Sequence, residues 1–415
     1  MVKVSSGLAE LPFAELADIN PRRGLKRGER YPYVEMAAVP EGGGQPTHHE
    51  FRSFAGGGSK FTVGDTLFAR ITPCTENGKL AYVASLPENS LGFGSTELIV
   101  LAAKEGISDP RFIYHLAAWD KVQRQAVARM FGTSGRQRVP TWFFTEELTV
   151  PSFPLAEQRA IAAVLDSIDE AIERTEEVIA ATERLRDALL HDLLTRGLPG
   201  RHTEWKEVRG LGTIPASWDV VRLGDVCEPP EYGAVASARP YDPDLPRYVR
   251  ITDLTDDGRL KDHELRSADP GAVEGYKLQP GDVLFARSGA TVGKTYMYRI
   301  EDGPCVFAGY LIRFRPQVAS LCPDFLELWT RSQMYRRWVH SMLRAGAQPN
   351  INATEYASLR IPLPSLDEQA RASERAAALS RVIADGRSTT HVLRLTKATV
   401  SQELLNGDLR VSGED

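Results

Sequence analysis

At 415 residues, with 42% hydrophobic and 25% charged, the chain has room for two ordinary domains and the balance of a globular protein, which excludes collagen-like, disulfide-scaffold and wholly disordered classes. Its 50 basic and 55 acidic residues leave a net −5, so no overall basic character argues for nucleic acid. Apolar runs such as Leu98–Ala103 fall far short of the roughly 18 residues of a membrane span, and residues 1–11 hold no secretory core, so a cytoplasmic protein is expected.

In chain order, residues 1–155 mix β-forming runs with Gly/Pro turns. Leu67-Phe68-Ala69 and Leu98-Ile-Val-Leu101 read as strands, and residues 112–130 as helical pieces. Residues 156–197 then form an uninterrupted helical pattern. Ile161, Leu165, Ile168, Ile172, Thr175 and Ile179 alternate spacings of four and three, the seam of a coiled coil. Ten acidic residues against five arginines between Pro154 and Gly197 give this segment −5 by itself. The remainder therefore sums to zero, and a locally basic face elsewhere stays open. Residues 198–217, with Gly200, Gly210, Gly212 and Pro215, read as a linker that redirects the chain.

The plan then starts again. Residues 218–365 carry the strand-like Val283-Leu-Phe-Ala286 and Tyr310-Leu-Ile-Arg-Phe314 and helical pieces over 325–343. Residues 366–407 form a second helix with the stripe Ala376, Leu379, Ile383, Gly386, Thr390, Leu393, Lys397, Val400 and Leu404, and 408–415 are a tail. Gly386 and Lys397 are poor seam residues, so a kink or loosening is expected near Asp385-Gly386. Each helix would run about 60 Å at 1.5 Å per residue. A lone helix cannot cover such a stripe, and two in one chain most simply pair with each other, antiparallel.

The restart is a true repeat. Glu157-Gln158 returns as Glu368-Gln369, 211 positions on (368 minus 157). Val150-Pro151, Gly135, Gln137, Leu148, Leu193 and Leu194 return at the same offset as Ile361-Pro362, Gly346, Gln348, Leu359, Leu404 and Leu405. Gly64-Asp-Thr-Leu-Phe-Ala-Arg70 returns as Gly281-Asp-Val-Leu-Phe-Ala-Arg287. So long a period means two copies of a domain-sized module. The expected architecture is α+β: two tandem modules, each followed by a long helix, with the helices paired and the halves related by a pseudo-two-fold repeat.

On these duplicated strings, together with Gly94-Ser-Thr-Glu-Leu98, Ile214-Pro-Ala-Ser-Trp218, Ile361-Pro-Leu-Pro364 and the two Glu-Gln pairs, the chain resembles a specificity subunit of a Type I restriction-modification system along almost its whole length. The resemblance implies a subunit without chemistry of its own. Its two target-recognition modules would each read one half of a split, asymmetric site on double-stranded DNA. Its helices would carry two adenine methyltransferase subunits and, in the full complex, restriction and translocase subunits, with helix length setting the unread spacer. S-adenosylmethionine, ATP and magnesium would belong to those partners, and none to this chain. No metal site is expected here: Cys74, Cys227, Cys305 and Cys322 include no close pair and read as free thiols, and His48-His49-Glu50 lacks the i, i+4 geometry of a helical metal pair.

The candidate DNA-contacting residues lie in segments that differ between the copies. Arg70 and Arg287 lead into unlike loops, Thr72, Asn77 and Lys79 in one and Ser288, Thr291 and Lys294 in the other. Arginine there suits guanine or phosphate. Before the long helices, Arg136, Gln137 and Arg138 face Gln348 and Asn350 across the repeat. The shared Gln137 and Gln348 point to a common structural or phosphate role, whereas Arg136, Arg138 and Asn350 differ and suit sequence reading. Trp142-Phe143-Phe144, Trp119 and Trp338 are read as core, and Asp324 and Glu327 as part of a helix whose Phe325, Leu326 and Leu328 pack inward. Two other functions compete: a coiled-coil adaptor without DNA specificity, and a nucleotide hydrolase using Gly289-Ala-Thr-Val-Gly-Lys-Thr295. That segment is one residue short of a phosphate-binding loop and leads into a strand-like run.

Overall fold

The computed structural model describes residues 8–87, 91–133, 135–343 and 348–411 of a mixed α/β protein. It comprises two units, Met1–Glu177 with Arg387–Asp415, and Val178–Gly386.

In the first unit the Gly-Asp string makes a turn and then a strand. Gly64 takes φ +91°, a conformation that side chains resist. Asp65 accepts the Thr62 N–H at 2.7 Å and pairs with Arg23. The strand that follows, Thr66–Ala69, is buried on both faces between Leu98–Ala103 and Leu80–Tyr82, and Ala17–Ile19 completes this antiparallel sheet. A second sheet runs Glu50–Ser53, Arg30–Val34, Gly92–Gly94, Ser59–Phe61, with one parallel pair. A third pairing joins Glu10–Pro12 to Thr149–Pro151, so the first strand lies beside the one that leads into a long helix. The helical pieces expected over 112–130 are two helices, Pro110–Ala118 and Asp120–Ala128. The extended backbone of Trp119 separates them, and Asp109 caps the first by accepting the Arg111 and Phe112 N–H groups.

The second unit uses the same devices. Gly281 turns at φ +89°, and Asp282 accepts the Gln279 N–H at 2.9 Å and holds Arg315. Its antiparallel sheet runs Glu231–Tyr232, Leu311–Phe314, Val283–Ala286, Thr295–Met297. Its second sheet again contains one parallel pair, Arg247–Val249 with Cys305–Phe307, and Asp219–Arg222 pairs with Arg360–Leu363. The helical pieces expected over 325–343 are again two helices, Pro323–Thr330 and Gln333–Met342. The stretch read as a linker holds a β-hairpin, Trp205–Val208 with Gly212–Pro215.

Two helices of 41 residues, Leu155–Thr195 and Leu366–Asn406, are unbroken. At Asp385-Gly386, where a kink or loosening is expected, the helix continues without interruption: an interior glycine costs only about 1 kcal/mol against alanine, and helix on both sides outweighs it. The stripe positions are the covered ones: Ile161 and Leu165, then Ala376, Ile383, Thr390 and Leu404, are buried. Lys397, the other poor seam residue, pairs with Asp169 at 2.5 Å. In the first unit Lys397 pairs with Asp169 and Arg394 with Glu176, numbers falling along one helix as they rise along the other, and Arg410, just past the helix end, pairs with Glu157. Leu404 and Leu405 there join Ile161, Leu165, Phe112 and Phe144 in one core. In the second unit Leu193 and Leu194 join Ala372, Ala376, Trp329 and Tyr356. Among the described residues no helix is long and apolar enough to cross a membrane. The four cysteines are free, and burial pushes the Cys227 and Cys305 thiols up to about 12.

Candidate nucleic-acid interface

Arg70 ends the buried strand Thr66–Ala69, and three other segments fix its backbone. Its N–H donates to Glu97 O at 3.0 Å, and its carbonyl accepts the Val139 N–H at 2.8 Å. One step on, the Thr72 N–H donates to Gln137 O at 3.0 Å, and Ile71 is bridged to Arg138. Phe131 and Arg138 exchange backbone hydrogen bonds of 2.9 and 3.2 Å. Arg136 and Gln137 are thereby held exposed beside Arg70. Arg138 donates from Nε and Nη2 to the Glu97 carboxylate at 2.7 to 3.1 Å. These hydrogen bonds hold that carboxyl below the usual range. Burial disfavours the Arg70 charge, which Glu97 supports and Arg138 opposes, and its Nε is buried without a hydrogen-bond partner among the described residues.

The second unit repeats three of these backbone hydrogen bonds and the bridge; the Phe131–Arg138 exchange has no counterpart among the described residues. The Arg287 N–H donates to Tyr310 O at 3.0 Å, and its carbonyl accepts the Ile351 N–H at 2.8 Å. The Gly289 N–H donates to Pro349 O at 3.0 Å, and Ser288 is bridged to Asn350. Arg287 Nε is again buried without a hydrogen-bond partner among the described residues, and its guanidinium lies 4.8 Å from the Tyr232 ring centroid. Tyr310 thus stands where Glu97 does, and Asn350 where Arg138 does. The hydrogen bonds correct the alignment of Gln137 with Gln348, because Pro349 supplies the carbonyl that Gln137 supplies in the first unit. The local offset is 212 rather than 211, so a shared glutamine role does not follow. Gln348 is exposed, and Gly346 lies outside the described residues.

The remaining candidates are engaged elsewhere. Lys79 Nζ donates to Met36 O at 3.3 Å, and Lys294 Nζ donates to Leu254 O at 3.4 Å and pairs with Asp256 at 2.8 Å. Both lysines pin their hairpins inward. Asn77 donates to Glu41, Thr72 to Glu76, and Thr291 to Ser288 O. Lys294 leads into the strand Thr295–Met297, so the helix that a phosphate-binding loop requires does not follow it. Phe143 and Phe144 are core, Trp119 is buried with its Nε1 donating to Gln402, and Trp142 is exposed. Glu327 pairs with Arg299 and Arg331, inside a helix whose Phe325 and Leu326 are buried.

Composition offered a signal that sequence reasoning passed over. Residues 120–138 hold five basic residues and one acidic one, and residues 331–350 hold four arginines and no acid. Each segment carries +4 and leads directly into the frame around Arg70 or Arg287, within a chain of negative sum. Glu97, Tyr310 and Tyr232 were missed because their roles depend on contacts between distant residues.

A separate cluster, His115, Asp166 and Asp169, brings its ligand atoms within 4.8 Å of one another. Arg111 and His115 both bond Asp166, and Lys397 pairs with Asp169, so each carboxylate already has a cation or N–H partner. Burial opposes ionisation of Asp166, but the hydrogen bonds and charge of His115 and Arg111 outweigh it and hold its carboxyl at about 2. Burial lowers the pKa of His115. This network ties the helix Pro110–Ala118 to both long helices.

Comparison with known proteins bears on this arrangement. Residues 215–387 match the model of the Type I restriction modification DNA specificity domain. The chain is 23% identical over 339 residues to the Type I restriction enzyme MjaVIII specificity subunit of Methanocaldococcus jannaschii, 77% of this chain and 75% of that protein. It is 27% identical over 245 residues to the EcoBI specificity subunit of Escherichia coli, 54% of this chain and 50% of that protein. Among solved structures, the Type-I restriction-modification system S subunit from M. genitalium matches with a TM-score of 0.61 at 16% identity, covering 97% of this chain and 98% of that one. A chain from a study of complex assembly and conformational transition of the type I R-M system matches with a TM-score of 0.58 at 20% identity, covering 98% and 100%. Likeness of sequence reaches across both modules and likeness of fold over nearly the whole length: the chain is similar to Type I restriction-modification specificity subunits, and residues 215–387 match the DNA specificity domain of that family.

Proposed function

We propose that this chain selects the DNA sequence on which a Type I complex acts. Each module, residues 1–155 and 218–365, reads one half of a bipartite, asymmetric double-stranded site. The long helices pair as an antiparallel coiled coil that docks two methyltransferase subunits, and restriction and translocase subunits join the full complex. Adenine methylation and cleavage take place on those partners, which bring S-adenosylmethionine, ATP and magnesium. One observation carries the reading: the same hydrogen-bonded frame occurs twice around Arg70 and Arg287, with unlike side chains mounted on it. A constant frame with variable side chains suits two half-sites of different sequence. The exposed Arg136, Gln137 and Gln348 at its rim suit phosphate and groove contacts.

The test is to map methylated sites in the genome of a host carrying the cognate methyltransferase subunits, with and without this chain. A split motif that appears only with the chain is expected. A stable complex that yields no motif would favour the adaptor reading.

A further inference from the structure

The duplicated frame puts two pairs of side chains in equivalent places, and they differ in chemistry. In the first unit Glu97 takes the Nε–Nη2 edge of Arg138 with three hydrogen bonds. The guanidinium plane is thereby fixed, and only its outer edge, Nη1 with the second Nη2 hydrogen, remains to donate. An arginine edge of two parallel N–H donors matches the O6 and N7 acceptors of guanine. In the second unit a phenol replaces the carboxylate and an amide replaces the guanidinium. Tyr310 is exposed, and the Asn350 side chain is exposed with no hydrogen bond among the described residues. A carboxamide offers one donor and one acceptor, the complement of adenine N6 and N7. Arg70 and Arg287 stay constant beneath both pairs. Each trio, Arg70–Glu97–Arg138 or Arg287–Tyr310–Asn350, sums to +1, so attraction to DNA is matched while base chemistry is not.

Resting on the DNA-reading function above, we infer that the pair at 97 and 138, and its counterpart at 310 and 350, decides one base in each half-site: guanine through Arg138 in the first and adenine through Asn350 in the second. Glu97 is a positioning residue, since it acts through Arg138. Neither Glu97, Tyr310 nor their pairing with positions 138 and 350 was visible as a recognition element in the repeat alone.

The test uses the complete complex with its methyltransferase subunits and reads the methylated motif. R138Q combined with E97Q keeps a neutral hydrogen-bonded pair and leaves no buried carboxylate, so it spares the fold. It should relax one guanine in one half-site by about tenfold to a hundredfold and leave the other half-site unchanged. E97Q alone should lower the methylation rate on the wild-type motif without altering that motif. Y310E with N350R should convert the equivalent base of the second half-site from adenine to guanine. Assembly is checked by co-elution and thermal melting, which should match the wild type. If the wild-type complex has a split motif and these variants retain it at every position, the inference is wrong while the DNA-reading function stands. Uniform weakening at all sites, with the slope of log affinity against log salt reduced by about 1, would make Arg138 a phosphate contact and also overturn it. If the wild type yields no motif, it is the function itself that fails.

Discussion

At the scale of single residues, the repeated Glu-Gln pairs act as staples. Gln158, wholly buried, accepts the Asp109 N–H and donates to Ile107 O and Phe153 O. Gln369 does the same with Cys322, Ser320 and Pro364. Each glutamine fastens the loop before a short helix to the start of a long one, satisfying three backbone groups that burial would otherwise leave costly. The glutamates beside them face the chain leaving the opposite helix: Glu157 holds Arg410, while Glu368 accepts from Leu198, Trp218 and His202. The strings were legible as a repeat. Their role was not, because side-chain to backbone bonds across about fifty residues leave no periodic trace. At this scale acid should weaken the protein in two steps. His115 is buried and its pKa lowered, so the unfolded state binds its proton first and stability falls as pH drops below the unfolded value of about 6.5. Asp166, held at about 2, adds a further loss as pH falls below roughly 4. Melting temperature measured from pH 7 to 5 should therefore decline less in His115→Gln, which keeps a donor for Asp166. Equal slopes in the two proteins would remove His115 as the cause.

At the scale of elements, the seam was the most legible feature, because a spacing of fours and threes maps directly onto one helix face. The places where it read poorly are informative. Lys397 sits in the stripe because Asp169 faces it with both side chains largely covered, and Gly386 is carried by the helix around it. Local propensity alone would loosen the helix there, and pairing along its length opposes that. The short helices fall where helical pieces were expected, and Trp119 and Ser332 mark the divisions between them. Replacing Leu165 and Ile168 by aspartate puts one carboxylate into a fully buried site and another into a half-buried one. We expect a loss of about 4 kcal/mol or more, measured by denaturant unfolding, together with release of bound methyltransferase subunits. Unchanged stability would show that the buried face lies elsewhere. The frame around Arg70 was only half legible: the arginine stood out in a duplicated string, whereas Glu97 reached it through strand pairing that the repeat could not reveal.

At the scale of the whole molecule, the period near 211 revealed two modules but not which leucines complete which core. Leu193-Leu194 and Leu404-Leu405 are equivalent in the repeat, yet each pair closes a core beside the start of the opposite long helix: Leu404 and Leu405 with Ile161 and Leu165, Leu193 and Leu194 with Ala372 and Ala376. Truncating the chain after residue 399 should therefore uncover the first unit's core and make residues 8–177 sensitive to proteolysis, while 178–386 stays resistant. Digestion followed by mass spectrometry reads both outcomes, and equal resistance of the two regions would contradict the shared core. DNA affinity of the intact complex should fall steeply with salt if the +4 segments at 120–138 and 331–350 lie on phosphates. A flat dependence would remove them from the interface.

The same closure dictates an order of events during synthesis. Residues 178–386 are contiguous, so that unit has everything it needs as soon as it leaves the ribosome. The first unit draws Leu404 and Leu405 against Ile161, a separation of 243 positions (404 minus 161). At roughly 5 to 20 residues per second, the first unit waits on the order of 10 to 50 s with an apolar surface open to solvent. The module at 8–177 is thus completed after the one that follows it in the chain, and through that interval its uncovered core is exposed to aggregation.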